Sequence, residues 1–410
     1  MANCELQSPP SSVGIDVTQV DEFTELQVAF LQRANLSDVA PVEAWTVRGS
    51  NRRMGYSTHG IFRYFGKFPP PIATSLIDQY SSPGELVVDP MCGSGTTGVE
   101  AILANRRCEL ADVNPLSVLL SQVKTTNIPL QDSREAIERV VSRVESKPKA
   151  DYRPTGLRNL DHWFLPETIS SLSAIRSAID RESEGSTKRL LLVAFASIVR
   201  RASKATTQQG RLFLDPNTAL ADALPLFERT ALTSASAVAE LEVNSPVRVT
   251  QDNLMSPSIN SIEKAKLSII HPPYFNMYKY SSINSLEMAW LDMDAKVTRK
   301  QEVREYFKIG KPENVERYLI DMESALANAC EQVASDGVAA LMIGDTTIRG
   351  EHIRATRPLL DTLPSRVRVE KIALRVPKFT EATWAASQRR KGGDLGVRLY
   401  DLIVILRKGA

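Results

Sequence analysis

Leu86-Val87-Val88-Asp89-Pro90-Met91-Cys92-Gly93-Ser94-Gly95-Thr96-Thr97-Gly98 decides how this chain reads. A short apolar strand runs into an acidic residue, then a turn on Gly93 and Gly95, then a helix beginning near Thr97. Glycine tolerates positive φ and has no side chain to clash, so backbone here can approach a ligand closely. Many nucleotide binders share a glycine-rich strand–turn–helix, and the stretch alone does not choose among them. A second element narrows the choice: Ile269-Ile270-His271-Pro272-Pro273-Tyr274, a strand that ends in a Pro-Pro-Tyr corner.

Outward from these two elements, strand patterns fall at 85–88, 108–111, 247–249, 267–270, 338–343, 367–374 and 399–406. Helical patterns lie between most of them, as at 97–104 and 314–334, which implies a mainly parallel three-layer α/β sheet. The last two strands lack a clear helix between them and fit an antiparallel hairpin. Residues 125–244 break the alternation with helical patterns at 134–144, 166–179, 188–204 and 219–241, and read as an inserted helical subdomain. Upstream, residues 1–13 read as a mobile polar tail. Val17 to Ala34 carries Val20, Phe23, Leu26, Phe30 and Leu31 at helix-like spacing.

The 410 residues, 43% hydrophobic, can bury a large core. A net charge of +2 permits a nucleic-acid partner without demanding one, so any basic surface is local. Four cysteines (Cys4, Cys92, Cys108, Cys330) show no paired spacing, which suggests neither a metal cluster nor a disulfide framework. Reduced thiols, a polar start and no membrane-length apolar run point to a cytoplasmic protein without a membrane partner.

Together the glycine turn and the corner resemble the S-adenosylmethionine-dependent amino-methyltransferases that act on cytosine N4 or adenine N6 in DNA. Here the family's Asp-, Asn- or Ser-Pro-Pro-Tyr motif is His-Pro-Pro-Tyr. The resemblance covers roughly 60–125 and 245–408. It implies a seven-stranded doubly wound, Rossmann-like methyltransferase sheet. The expected organisation is an N-terminal tail and helical extension (1–59), a first core part (60–124), the inserted helical subdomain (125–244) and a second core part (245–410).

In open parallel sheets ligands bind beyond the carboxyl ends of the strands, where strand order reverses. Asp89, Met91, Cys92, Gly93, Gly95, Thr96 and Thr97 would sit there as the cofactor turn. Asp112, closing Leu110-Ala111-Asp112-Val113-Asn114-Pro115, can accept from both ribose hydroxyls, with Asn114 beside it; a cap or turn carboxylate is the ordinary alternative. Asp252 and Asn253 resemble the segment that meets the adenine amine, and also suit a plain turn. Phe65-Gly66-Lys67-Phe68-Pro69 resembles the Lys-Phe-Pro element whose aromatic packs on the cofactor, although Phe65 and Phe68 also fit a core.

The resemblance implies that His271, Pro272, Pro273 and Tyr274 carry the chemistry. In the family, the first corner residue and a backbone carbonyl accept hydrogen bonds from the target amine. The aromatic stacks on a base flipped from double-stranded DNA. A neutral imidazole accepts one hydrogen bond and a protonated one accepts none. Three readings of His271 stay open: a neutral acceptor, a loop-holding residue beside backbone acceptors, or a mark of weakened activity. No Pro-Cys pair exists, which sets aside cytosine C5 chemistry. Arg200, Arg201 and Lys204, read as lying on a helix, and Arg389 with Arg390 are the candidate phosphate contacts. A cognate restriction endonuclease is an allowed further partner. The competing functions are a structured-RNA guanine-N2 methyltransferase, which shares Asp-Pro-Met-Cys-Gly-Ser-Gly-Thr, and a catalytically weak nucleic-acid-binding relative of the fold.

Overall fold

The apolar runs on either side of the glycine turn become neighbouring strands of one sheet. The computed structural model describes residues 9–50, 52–147, 150, 152–157, 159–208, 211–215, 217, 220–257, 263–275, 280–303, 314–348, 351–376 and 400–409. In chain order its strands are β1 (Gly14–Gln19), β2 (Val42–Arg48), β3 (Leu86–Asp89), β4 (Arg107–Asp112), β5 (Ala205–Gln208), β6 (Arg211–Leu214), β7 (Val247–Gln251), β8 (Ala265–Ile270), β9 (Val333–Ile343), β10 (Thr346–Ile348), β11 (Glu351–Ile353), β12 (Val367–Arg375) and β13 (Asp401–Lys408). Two hairpins, β5–β6 and β10–β11, stand apart. The others form one nine-stranded sheet ordered β1-β2-β12-β13-β9-β8-β3-β4-β7.

The strands β7, β4, β3, β8 and β9 are mutually parallel, and β13 runs antiparallel to both β9 and β12. Strand order reverses at β3 and β8, so the carboxyl ends of these strands open a crevice. All four residues of β3 are buried, as a central strand covered on both faces requires.

The sheet has nine strands rather than seven, because β1 and β2 extend its edge. Strand β2 pairs in parallel with β12, and β1 pairs antiparallel with β2. The helix expected from Val17 therefore starts later. Ile15, Val17 and Thr18 are β-branched and pair with Val47, Trp45 and Ala44. The helix α1 (Glu25–Ala34) begins after Thr24, whose hydroxyl accepts from the Gln27 amide while Gln27 bonds back to the Thr24 amide. Val13, within the stretch read as a tail, is buried beside Trp45 and Val47.

Helices α2 (Pro70–Tyr80), α3 (Thr96–Leu103) and α4 (Pro115–Lys124) flank β3 and β4. The segment between β4 and β7 continues with α5 (Leu130–Ser146), α6 (Leu160–Trp163), α7 (Pro166–Asp180), α8 (Ser186–Val199) and α9 (Ala223–Ala239), plus the β5–β6 hairpin. Its apolar side chains form one cluster with Leu116, Leu119 and Leu120 of α4 and with Ile61, Phe62 and Tyr64. Trp290 joins the same cluster from α11 (Ser285–Trp290), which with α10 (Tyr280–Ile283) and α12 (Ala295–Gln301) follows the corner. The chain then runs through α13 (Asn314–Gln332) and α14 (Thr356–Leu360). Among the described residues, no helix is long and apolar enough to cross a membrane.

Candidate active site

The glycine turn is locked by its surroundings. Gly95 caps α3 at φ 76°, and a Cβ there would lie 2.8 Å from Ser121 Oγ and 3.0 Å from Ser121 Cα. Behind the turn, Asp89 accepts from Thr97 Oγ1 at 2.5 Å and from the Met91 amide at 3.1 Å. Burial raises the Asp89 carboxyl to about 7.

Asp112 ends β4 beside this turn. One carboxylate oxygen accepts from the Gly93 amide and the other from the Asn114 amide, each at 2.8 Å. Desolvation outweighs those bonds and raises Asp112 to about 6. Asn114 caps α4 by accepting from the Leu116 amide at 3.0 Å. The Asp252 amide donates to the Asp112 carbonyl at 3.2 Å, bringing the end of β7 to the end of β4.

One open cleft, about 830 Å³ counted to its mouth, joins these residues to the corner. Of the sequence candidates, Phe68, Met91, Cys92, Gly93, Thr96, Asp112, Asn114, Asp252, Asn253, His271 and Pro273 line it. Pro69, Asp89, Gly95, Thr97, Pro272 and Tyr274 fall outside the lining. Cys92 is buried 3.3 Å from Ser121 Oγ, with its thiol pushed up by desolvation, and packs rather than reacts.

His271 leaves β8 between two rings, Phe68 at 5.3 Å and Tyr274 at 5.5 Å, both edge-on. Desolvation is the main cause that lowers it to about 4; Asp401 opposes the shift and Arg375 adds to it. Tyr274 is placed by the same ion-paired Arg375 and Asp401, the latter bonding its hydroxyl. Its ring rests on Gly344, where a Cβ would come within 3.1 Å of it. The Pro273 carbonyl accepts from Tyr318 Oη at 3.0 Å.

Several cleft residues were not among the sequence candidates. Tyr64, stacked 6.0 Å from Tyr280, lies over Gly93 and raises no motif of its own. Gly66 lets Tyr280 approach, since a Cβ would lie 2.6 Å from its hydroxyl. Gln301, Glu302 and Val303 come from α12 and its end, far from either motif. Lys67, Pro90, Ser94 and Val113, which lie inside the quoted stretches, were within reach of sequence reasoning.

The basic candidates need correction. The helix α8 stops at Val199, so Arg200, Arg201 and Lys204 follow it rather than share its face. Arg200 points inward: its guanidinium meets Glu287 at 2.7 Å, with side chains 16% and 3% exposed, and donates to the Ile283 carbonyl and Thr207 Oγ1. A group so engaged is not a phosphate contact. Lys204 Nζ donates to the Asp161 carbonyl, and Arg201 is exposed. Phe65 sits under Arg63 and Arg200 rather than in the cleft. Arg389 and Arg390 lie outside the described residues.

Two buried polar atoms in the cleft wall have no partner in the protein: Ser94 Oγ and Asn114 Nδ2, each in a residue 2% exposed. Buried polar groups are ordinarily paired, so these suit a polar ligand. Among the described lining residues Asp112, Asp252 and Glu302 face a single cation, Lys67, which suits a ligand of net positive charge. Among the described residues no group of three or more His, Cys, Asp or Glu is arranged to hold a metal.

Comparisons with known proteins cover part of the chain that builds this site. Residues 19–121, which include the glycine turn and Asp112, match a DNA methylase family of N6 and N4 amino-methyltransferases. The Type II methyltransferase M.MvaI of Kocuria varians is 26% identical over 267 residues, 58% of this chain and 58% of the relative. The Type II methyltransferase M.BsoBI of Geobacillus stearothermophilus is 23% identical over 282 residues, 60% of this chain and 54% of the relative. The chain thus spans somewhat more than half the length of these curated relatives. The solved structure of TrmN from Thermus thermophilus covers 89% of this chain and 56% of its own at 11% identity and a TM-score of 0.34, too low to argue from. The family match over residues 19–121 and the two curated relatives together support membership of the amino-methyltransferase family of DNA methylases.

Proposed function

We propose that the chain transfers a methyl group from S-adenosylmethionine to an exocyclic amine of a base in double-stranded DNA, cytosine N4 in preference to adenine N6. The observation that carries this reading is that the Asp112 turn and the His271 corner line the same cleft. The cofactor's polar demands fit the wall: a carboxylate for the ribose, Asp252 and Asn253 at the end of β7 for adenine, and unpaired Ser94 Oγ and Asn114 Nδ2. The bound cofactor supplies an electrophilic sulfonium methyl.

The protein's own part is to position the amine and accept from it. Exocyclic amines are poor nucleophiles because their lone pair is delocalised into the ring. His271 is neutral at physiological pH, since burial lowers it to about 4, and so retains an acceptor nitrogen. The Pro273 carbonyl accepts from Tyr318 and keeps a second lone pair, so the imidazole and this backbone oxygen can each accept one hydrogen bond from the amine. Cytosine N4 is preferred because the first corner residue is not aspartate. The relatives are named as Type II methyltransferases, which supports a restriction-modification setting with a cognate endonuclease.

The test is incubation with methyl-labelled S-adenosylmethionine and genomic DNA, then nucleoside mass analysis. The expected product is N4-methylcytosine. N6-methyladenine would correct the base, label in guanine N2 of RNA would move the substrate, and no label in any nucleic acid would overturn the reading.

A further inference from the structure

Two guanidinium groups share one aromatic ring, Phe65, whose chain neighbours Tyr64 and Gly66 line the cleft. Arg63 lies 5.0 Å and Arg200 5.3 Å from the centre of the Phe65 ring. Such stacking holds a guanidinium flat while leaving its in-plane donors available. Their electrostatic situations differ. Arg200 is neutralised by the buried Glu287, whereas Arg63 is exposed and forms no ion pair among the described residues. Tyr64 and Gly66, on either side of Phe65, line the cleft, so Arg63 and its ring adjoin residues of the cleft wall in the chain.

We infer that Arg63 is a preoriented phosphate contact for the nucleic-acid strand that delivers a base to the cleft. This rests on the function proposed above. A strand that places one base in the cleft must lay its phosphodiester backbone over the mouth. A planar fork matches a phosphate with two parallel hydrogen bonds. Its side chain is already ordered on Phe65, so little freedom is lost on contact. Glu287 makes the arrangement tolerable, because it offsets the like charge on the second guanidinium. Phe65 was read from the sequence only as a cofactor or core aromatic; its stack of guanidinium groups exists only once 61–68 and 200–208 are brought together.

The experiment measures binding of a short fluorescent duplex against salt concentration. The parent is compared with Arg63→Gln, Arg63→Lys and, as a control on an exposed face of α9, Arg229→Gln. Losing one phosphate contact lowers the slope of log affinity against log salt by about 0.9. Arg63→Gln should show that drop and bind several-fold more weakly, with cofactor affinity by calorimetry at the parent value. Arg63→Lys should keep the slope but lose part of the affinity, since charge remains without the fork. Arg229→Gln should match the parent. An unchanged slope in Arg63→Gln, or an equal drop in Arg229→Gln, overturns this contact and leaves the function intact. A parent that binds no duplex overturns both.

Discussion

At the residue scale, the account rests on two groups whose ionisation is set by burial. Asp112 ionises near 6 rather than in the usual carboxylate range, while its proposed ligand is cationic and needs the carboxylate form. Cofactor affinity is therefore full above about 6 and falls as pH drops through that value, a fall that calorimetry across pH reads directly. Asp112→Ala should weaken cofactor binding by about 1–3 kcal/mol, the range for stranding polar partners, and should flatten that pH dependence. His271 behaves differently. An unperturbed histidine would switch off the acceptor near pH 6.5. Burial moves the change to about 4, so single-turnover rate should hold through neutral and mildly acidic pH and drop only as the ring protonates near 4. A rate loss centred near the ordinary histidine value would show the ring to be solvated in the working complex.

At the element scale, the turn and the Arg200 ion pair are held by contacts that tolerate little change. Gly95→Ala forces a side chain into the left-handed region against the Ser121 backbone, which should cost about 1–3 kcal/mol of stability in denaturant titration. Arg200→Met leaves Glu287 buried without its cation and should destabilise by about 3–5 kcal/mol. A mutant with parent stability would return Arg200 to the surface role its sequence suggests. The elements nearest the cofactor turn were legible because the apolar run of β3 and the apolar stretches Leu110–Ala111 of β4 and Ile269–Ile270 of β8 are closed by Asp89, Asp112 and the Pro-Pro corner. Strand β1 was not, because Val17 and Val20 happen to continue the spacing of α1 and its partner β2 lies beyond that helix. Arg200 was misread for the same physical reason: its partner Glu287 is remote in sequence, and charge alone does not tell a solvated face from a buried pair. The wall made by Tyr280 and Glu302 is likewise assembled only by tertiary packing.

At the scale of the whole molecule, the sheet brings two motifs some 180 residues apart in the numbering, Asp89–Gly95 and His271–Tyr274, to adjacent strand ends. The helical segment between them shares its core with Ile61, Phe62, Tyr64 and Trp290, so the cleft wall and that segment form one packed body. The central claim is that one cleft divides its labour, with Asp112 holding the cofactor and His271 acting on the amine. The measurement that tests this most directly is the single-turnover methyl-transfer rate on duplex DNA as cofactor is raised to saturation, for the parent, Asp112→Ala and His271→Ala. Asp112→Ala should recover most of the parent rate at saturation, and His271→Ala should remain slow at every cofactor concentration. The reverse pattern, a His271→Ala enzyme as fast as the parent beside an Asp112→Ala enzyme that saturation cannot rescue, would contradict the assignment of both residues.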